Sequence, residues 1–420
     1  MTRFRLALAA LLVLVPAWLA VPAAAEAPPR SGNAVFDRVV DLVNEHFFAP
    51  SELPKFNEAA ALAAAQIPDL KDAAPAVVSD AISFVLDSLH ASHTGRYMPD
   101  AVDYYELSDV FRFAMRGDMR RLFPPQGTVT YAGIGMTSVR IDGKTFVTRV
   151  YDGGPAATAG LLTGDEIVSV DGQPFAEIDA FRGKAGGTAH LMVRRAADAA
   201  PIAVDVPVRE IEPGDLFVKA ISESEKRLDQ GGKRIGYIRL WAYTRDEVTQ
   251  LLYDALDNGR LKDVDGLVLD LRSKWGGAPG DAVETFVGGA ADMEAIDRNG
   301  TRSLVTYRWH KPVVAIIDGG TRSGMEILAY SLKKNGVPLV GAPTAGNVLA
   351  GTAYALPDGS ILELAVADVL VDGRRLEANP VQPDVAVPYD VRYAAGHDPQ
   401  LDAATALMAR RLAGEAGQAD

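Results

Sequence analysis

The sequence predicts an α/β core that is preceded by a small helical subdomain and carries an inserted, mostly-β module. Three observations predict it. From Arg234 onward, short apolar runs alternate with helical segments, the pattern of a largely parallel sheet with crossover helices. Between about Thr128 and Val208 the texture changes to short β runs separated by glycine turns. Ahead of both, Val35, Phe36, Val39, Val40, Val43 and Phe47 recur at helical spacing, and Val77 to Leu89 repeats the pattern.

Taken in order, the chain opens with Arg3 and Arg5, an apolar stretch from Leu6 to Val21, and Pro22-Ala23-Ala24-Ala25 before Glu26. Basic, apolar and small-residue regions in that order predict a cleaved secretory leader over 1–25, with an uncleaved anchor as the alternative. The expected location is therefore periplasmic or secreted. No later segment approaches the ~18 consecutive apolar residues a membrane helix needs, so no stable membrane anchor is expected. The chain has no cysteine, which excludes disulfides and a lipoprotein anchor.

The helical subdomain is expected over 26–125, including the polar loop Ser92-His93-Thr94-Gly95. The β module spans 128–208: Gly133-Ile134-Gly135-Met136 opens it and Phe146 to Val150 is a strand. Gly154-Pro155-Ala156 then starts a short helix, and Val168 to Val170 leads into an Asp171-Gly172 turn. Strands at His190 to Arg194 and Ile202 to Val208 complete it.

The core spans 211–395, with strands at Ile235 to Leu240, Leu267 to Leu271, Val313 to Ile317 and Pro338 to Val340. Its helices are Arg245 to Asn258 and Gly324 to Lys334, and a hairpin follows around Pro357-Asp358-Gly359. A helix or tail over 396–420 ends the chain.

Composition narrows the function classes. Of 420 residues, 48% are hydrophobic, enough for two or three packed domains. Losing Arg3 and Arg5 with the leader moves the formal charge from −13 to −15. An acidic chain without basic clusters argues against nucleic-acid binding.

The segment with most chemical content is Val313-Val-Ala-Ile-Ile-Asp-Gly-Gly-Thr-Arg-Ser323-Gly-Met-Glu-Ile-Leu-Ala-Tyr330. It sets Ser323 in the turn between a buried strand and a helix, where backbone N–H groups and the helix dipole favour developing negative charge. Serine is also a favoured N-cap residue. On this segment alone Ser323 is either a cap or an acyl-transfer nucleophile.

Two resemblances decide between them. Gly133-Ile134-Gly135-Met136, Gly154-Pro155-Ala156, Ala159-Gly160-Leu161, Gly164-Asp165-Glu166-Ile167 and Val170-Asp171-Gly172 resemble a PDZ domain of the type found with bacterial proteases. The resemblance implies capture of a peptide C-terminus at the loop Tyr131 to Met136, with Gly133, Ile134, Gly135 and Met136 as peptide-binding residues.

Gly236-Tyr-Ile-Arg-Leu240, Asp265-Gly-Leu-Val-Leu-Asp-Leu-Arg272, Trp275-Gly276-Gly277, the Ser323 segment and Gln382-Pro-Asp-Val385 resemble the C-terminal processing (tail-specific) serine peptidase family. The similarity runs from about Ala34 to Pro388. It implies a core of the ClpP/crotonase-like type, a polypeptide substrate and no cofactor or metal. It also implies Ser323 as nucleophile, with backbone N–H groups of Gly276, Gly277 and Gly324 as oxyanion donors. The family usually has asparagine where this chain has Lys274, which leaves the effect of Lys274 on the oxyanion loop open.

The base is where this chain departs further. Many relatives use a lysine about two dozen residues after the serine. Here Pro343-Thr-Ala-Gly-Asn347 has none, and no lysine follows Lys334. Lys333 and Lys334 lie about 15 Å along the helix at ~1.5 Å per residue, too far to deprotonate Ser323. The tricorn-like branch of the family resembles what remains. It implies His93 as base, with Ser92 and Glu377 orienting the imidazole. The acidic limb of kcat/KM is then expected near the ordinary histidine value of ~6.5.

Two other readings stay open: a catalytically inactive, peptide- or ligand-binding protein of the same architecture, favoured by Lys274, and a crotonase-like acyl-CoA enzyme, which a secretory leader disfavours. Oligomeric state and natural substrate are not legible.

Overall fold

The computed structural model describes residues 30–414 except 68, 289–292 and 306–308. The expected leader over 1–25 lies outside the described residues.

The core sheet has six strands in the order Val385–Ala386, Leu339–Gly341, Val313–Ile317, Gly266–Asp270, Lys233–Arg239 and Lys226–Gln230. Every neighbouring pair is parallel except the last, where Lys226–Gln230 turns back antiparallel on Lys233–Arg239. All five residues of Gly266–Asp270 and of Val313–Ile317 are buried. Strands covered on both faces are largely apolar, which is why Leu267 to Leu269 and Val313–Ile317 read as continuous apolar runs, while Asp270, buried at the end of its strand, is paired with Arg272.

Alternation along those strands assigns the two covers. Val268, Val314, Ile316 and Val340 pack with Ala404 and Met408 of the C-terminal helix Pro399–Leu412. Leu267, Leu269, Ala315, Ile317 and Leu339 face the other way, in one cluster with Met325, Leu328 and Leu332 of helix Gly324–Lys334. The C-terminal helix packs so closely that a Cβ at Gly266 would lie 2.5 Å from Met408 Sδ.

The N-terminal helices Ala34–His46, Leu53–Gln66 and Pro75–Asp87 do not close their own core. Phe36, Val39, Phe56, Ile82 and Val85 pack with Leu362, Leu364 and Ala365 of the hairpin of Ala350–Ala355 and Ile361–Ala367, and with Leu349 and Leu356, which flank its first strand. That hairpin pairs in turn with Gly95–Tyr97 in a three-stranded sheet. The pairing brings the loop holding His93 to the core.

The inserted module is a five-stranded antiparallel sheet of Met136–Ile141, Lys144–Val150, Glu166–Val170, Thr188–Arg194 and Ile202–Pro207. Asp142-Gly143 and Asp171-Gly172 have positive φ at both positions, the conformation a two-residue hairpin turn demands. Tyr131–Gly133 pairs with Arg209–Ile211 and ties the module's entry to its exit.

Helix boundaries differ from expectation by a residue or two: Glu247–Asp257 replaces Arg245 to Asn258. Gly324–Lys334 and Val313–Ile317 fall as read. Helix Val102–Val110 has no periodic signal of its own, because it is buried nearly all round and carries Glu106 and Asp109 inward.

Candidate active site

The turn after strand Val313–Ile317 is pinned before it reaches Ser323. Gly320 N–H donates to Asp318 Oδ1 (2.8 Å), and Thr321 Oγ1 donates to the Leu271 carbonyl on the neighbouring strand (3.0 Å). Ser323 then sits at φ 57°, ψ −132°, a backbone conformation that L-residues rarely adopt. Such strain costs about 1–3 kcal/mol and persists only where its surroundings over-determine it. Here the Ser323 N–H donates to the Asn347 carbonyl (2.8 Å), and its own carbonyl accepts from Glu326 N–H (2.8 Å). The Ser323 side chain makes no capping hydrogen bond. Of the two roles open to Ser323 in sequence, the helix cap is the one its geometry does not fill.

Three glycines crowd this turn. A Cβ at Gly276 would lie 2.8 Å from Ser323 Cβ, one at Gly277 would lie 2.1 Å from the Tyr243 carbonyl oxygen, and one at Gly324 would overlap the Gly277 carbonyl at 1.4 Å. Gly276 and Gly277 have φ of 61° and 90°. Tyr243 N–H donates to the Gly276 carbonyl and Ala278 N–H to the Tyr243 carbonyl. The N–H groups of Gly276, Gly277 and Gly324 meet no acceptor among the described residues. Backbone N–H groups left without an acceptor are of the kind that can donate to an oxyanion.

Lys274 turns away from them: its ammonium pairs with Asp103, and the next side chain, Trp275, donates its indole N–H to Glu106. The open question of Lys274 thus has a structural answer. Its side chain anchors the loop to helix Val102–Val110 rather than entering the glycine turn.

Ser92, His93 and Glu377 form one hydrogen-bonded chain. Ser92 Oγ donates to Glu377 Oε2 (2.9 Å) and lies 3.0 Å from His93 Nδ1. Glu377 also accepts from the backbone N–H of Ser92 (3.1 Å), Val348 (2.7 Å) and Leu349 (3.2 Å). Serine has a single hydroxyl proton. With that proton donated toward Glu377, Ser92 Oγ accepts from Nδ1–H, so His93 carries its proton on Nδ1 and leaves Nε2 bare.

His93 and Glu377 are both buried. His93 is fitted against Gly351, where a Cβ would lie 3.0 Å from its own. Burial, with the Arg322 guanidinium second, pushes the His93 pKa down to about 3. The sequence expectation of an acidic limb near 6.5 is corrected accordingly.

The two halves of the site meet at residues 344–349. Glu326, one turn into the Ser323 helix and fully buried, accepts from Thr344 Oγ1 (2.5 Å), Gly346 N–H (2.8 Å) and Asn347 N–H (2.7 Å). Glu377 takes the next two amides. Four consecutive N–H groups, 346 to 349, are therefore held by two carboxylates, and the Asn347 carbonyl between them holds Ser323 N–H. Sequence reading passed over Glu326; its signal was a charged residue on the apolar face of helix Gly324–Lys334. No hydrogen bond joins Ser323 Oγ to His93 in this structure. Catalytic hydrogen bonds are often long before substrate binds.

Lys333 pairs with Asp384 and Lys334 with Asp372, away from Ser323. Elsewhere, His46 stacks on Tyr354, and His190 pairs with Asp205 on the surface.

At the β module, the amides of Ile134 and Gly135 donate to no acceptor among the described residues. The loop Gly133 to Met136 lines a narrow cavity with Val102, Phe175, Glu177 and Phe181. Ile134 and Met136 are buried there. Glu177, one of the lining residues, accepts from the Val102 N–H (3.2 Å) and the Ser138 hydroxyl (3.0 Å).

Residues 234–387 match the family described as Peptidase family S41, and residues 146–194 match the PDZ domain family. The chain is 27% identical over 308 residues to "Carboxy-terminal processing protease CtpB" of Bacillus subtilis (strain 168), covering 69% of this chain and 62% of that protein. To "Carboxy-terminal processing protease CtpA" of the same organism it is 26% identical over 296 residues, covering 66% and 61%. The chain thus spans about three fifths of the length of these relatives. The fold is shared with the tricorn protease at TM-score 0.53 and 19% identity, over 90% of this chain and 36% of that one. No described helix is long and apolar enough to cross a membrane.

Proposed function

We propose that this chain, a member of peptidase family S41 with a PDZ domain, is an exported serine endopeptidase that cleaves polypeptides by a Ser323–His93–Glu377 mechanism. The observation that carries this reading is Ser323 itself. Its backbone is held strained at positive φ, its hydroxyl makes no capping bond, and the N–H groups of the neighbouring Gly276, Gly277 and Gly324 meet no acceptor among the described residues. Strain of that kind needs a reason, and a held nucleophile is one.

In this mechanism Ser323 Oγ attacks the scissile carbonyl carbon while its proton passes to His93 Nε2. The carbonyl oxygen becomes an oxyanion held by the N–H groups of Gly276, Gly277 and Gly324. The negative charge developing there offsets Arg322, whose guanidinium otherwise disfavours imidazolium. Ser92 and Glu377 hold the Nδ1–H tautomer throughout. His93 then gives its proton to the leaving amine, and an acyl-serine forms. Water, activated by the same imidazole, hydrolyses it.

A fluorophosphonate probe tests the nucleophile directly. The full-length protein should be labelled at Ser323, and labelling should disappear in Ser323→Ala. Failure to label at any pH between 5 and 9 would leave a peptide-binding protein of the same architecture.

The PDZ domain supports a substrate held by its C-terminus, because the free amides of Ile134 and Gly135 suit a carboxylate. Peptides with a free C-terminus should bind at least ~10-fold more tightly than their amidated forms, measured by titration calorimetry, the loss of one charged hydrogen-bonded group being worth ~1.4 kcal/mol or more. Equal binding would make the domain a spacer. Export rests on the leader sequence read over residues 1–25.

A further inference from the structure

Two of the three acidic residues of helix Val102–Val110, Asp103 and Glu106, lie one turn apart and reach the loop that precedes the paired glycines. Asp103 takes the Lys274 ammonium, and Glu106 Oε2 accepts the Trp275 indole N–H at 2.5 Å. The other oxygen, Oε1, accepts the Tyr151 hydroxyl at 2.6 Å. Tyr151 directly follows strand Lys144–Val150 of the PDZ domain. Glu106 has no exposed surface. One carboxyl therefore joins the helical region, the end of a PDZ strand and the residue next to Gly276.

Both groups bonded to Glu106 are neutral donors. The cation nearest the loop, Lys274, is engaged by Asp103. A buried carboxylate held by hydrogen bonds but by no ion pair is costly to keep charged. Burial, with Asp103 second, pushes the Glu106 pKa up to about 7, and Tyr151, Lys274 and Trp275 pull the other way. Tyr131 and Arg149 also face it.

The two protonation states hold the loop differently. An indole N–H can only donate. Ionised, Glu106 accepts charge-assisted bonds from both Trp275 and Tyr151, the stronger kind. Protonated, it must spend one oxygen as a donor, and the tether on Trp275 weakens. Gly276 and Gly277, both at positive φ, lie immediately beyond that tether.

We propose that Glu106 is a positioning residue for the oxyanion loop: its ionised carboxylate holds Trp275 so that the Gly276 and Gly277 N–H groups stay aligned, and protonation releases them. It acts through Trp275 and touches no substrate. The inference rests on the peptidase reading above. It requires kcat to rise with pH through about 7, while KM, set by remote contacts, changes little. Stability runs the opposite way. A carboxyl whose folded value is raised from 4.5 to about 7 binds more protons folded than unfolded across that window, so the protein loses stability as pH rises through it.

The test is a pH series from 5 to 9 on the full chain, comparing the wild type with Glu106→Gln and Trp275→Phe. It records kcat and KM on a peptide substrate, indole fluorescence and thermal unfolding. The wild type should show a kcat limb near 7 and a fluorescence transition at the same pH. Glu106→Gln should lose both, with a plateau kcat down roughly 10-fold, below the ~10²–10³ of deleting an oxyanion donor because the N–H groups remain. It should unfold no earlier than the wild type above pH 7. Trp275→Phe, which keeps the carboxyl but removes the N–H, should lower kcat similarly and lose the fluorescence change. A limb near 7 that persists in Glu106→Gln overturns the proposal, and so does a fluorescence transition that persists there. A wild type that neither hydrolyses nor labels would sink the peptidase reading alone, because the fluorescence transition and its loss would still report the tether.

Discussion

Ser323→Ala should abolish hydrolysis, by on the order of 10⁴-fold or more, with almost no change in folding stability. The stability half of that expectation comes from the side chain's contacts. The hydroxyl caps nothing, so removing it should shift stability by no more than ~0.5 kcal/mol, less than the ~1 kcal/mol of a lost N-cap. Ser323→Gly sharpens the result. Glycine tolerates φ 57° without strain, so this equally inactive variant should be more stable than Ser323→Ala by ~1 kcal/mol, after allowing for glycine's greater unfolded-state freedom. Activity by steady-state assay and stability by denaturant titration measure both. Full activity in Ser323→Ala would make Ser323 a turn residue and nothing more.

His93→Ala should lose ~10²–10⁴-fold in kcat/KM, the usual contribution of a positioned base. Glu377→Gln should lose less, since Glu377 orients the imidazole and moves no proton. It is not a gentle change, however. One Glu377 oxygen faces three donors and the other faces one, so the amide must turn its NH₂ toward Ser92 N–H, leaving that donor unpaired at a cost of ~1–3 kcal/mol.

The pH dependence separates His93 from its neighbours. With its pKa held down to about 3, His93 is neutral over the whole ordinary range, so its limb in kcat/KM lies far below 6.5. Arg322→Gln removes the second cause of that depression and should move the limb upward. The stability sign follows from the same shift. Between about 3 and 6.5 the unfolded chain binds the proton that folded His93 refuses, so stability falls as pH drops through that window. A kcat/KM limb at 6.5 that vanishes in His93→Ala and survives in Glu106→Gln would reinstate the ordinary histidine value.

Much of the local framework is legible because it depends on local physics. A parallel strand covered on both faces favours an unbroken apolar run, and Val313–Ile317 is one. Turns with positive φ favour glycine or aspartate-glycine, which marks Asp171-Gly172 in the β module. Helix Gly324–Lys334 could be bounded because Ser323-Gly324 and Asn335-Gly336 punctuate it. Helix Val102–Val110 offered no such mark. Its polar residues face inward to partners distant in sequence, so its pattern carries no clean 3.6-residue alternation.

By itself, the sequence determined which residue types were available for chemistry. It contains one serine at the head of a buried-strand turn, a Gly276-Gly277 pair, Ser92-His93, and no lysine after Lys334. Only the tertiary structure decided what those residues are to one another. Ser92 and Glu377 are 285 positions apart and share a hydrogen bond because Gly95–Tyr97 pairs with Ile361–Ala367. The His93 tautomer follows from that contact, and its low pKa from burial. Glu326 reads only as a charge on an apolar helix face until the loop at 344–347 folds over it, and Lys274 reads as a departure until Asp103 arrives beside it. Backbone propensity and hydrophobic period are fixed within a few residues. Protonation state, strain and donor pairing are set by whatever packing brings alongside, and no short window of sequence contains that.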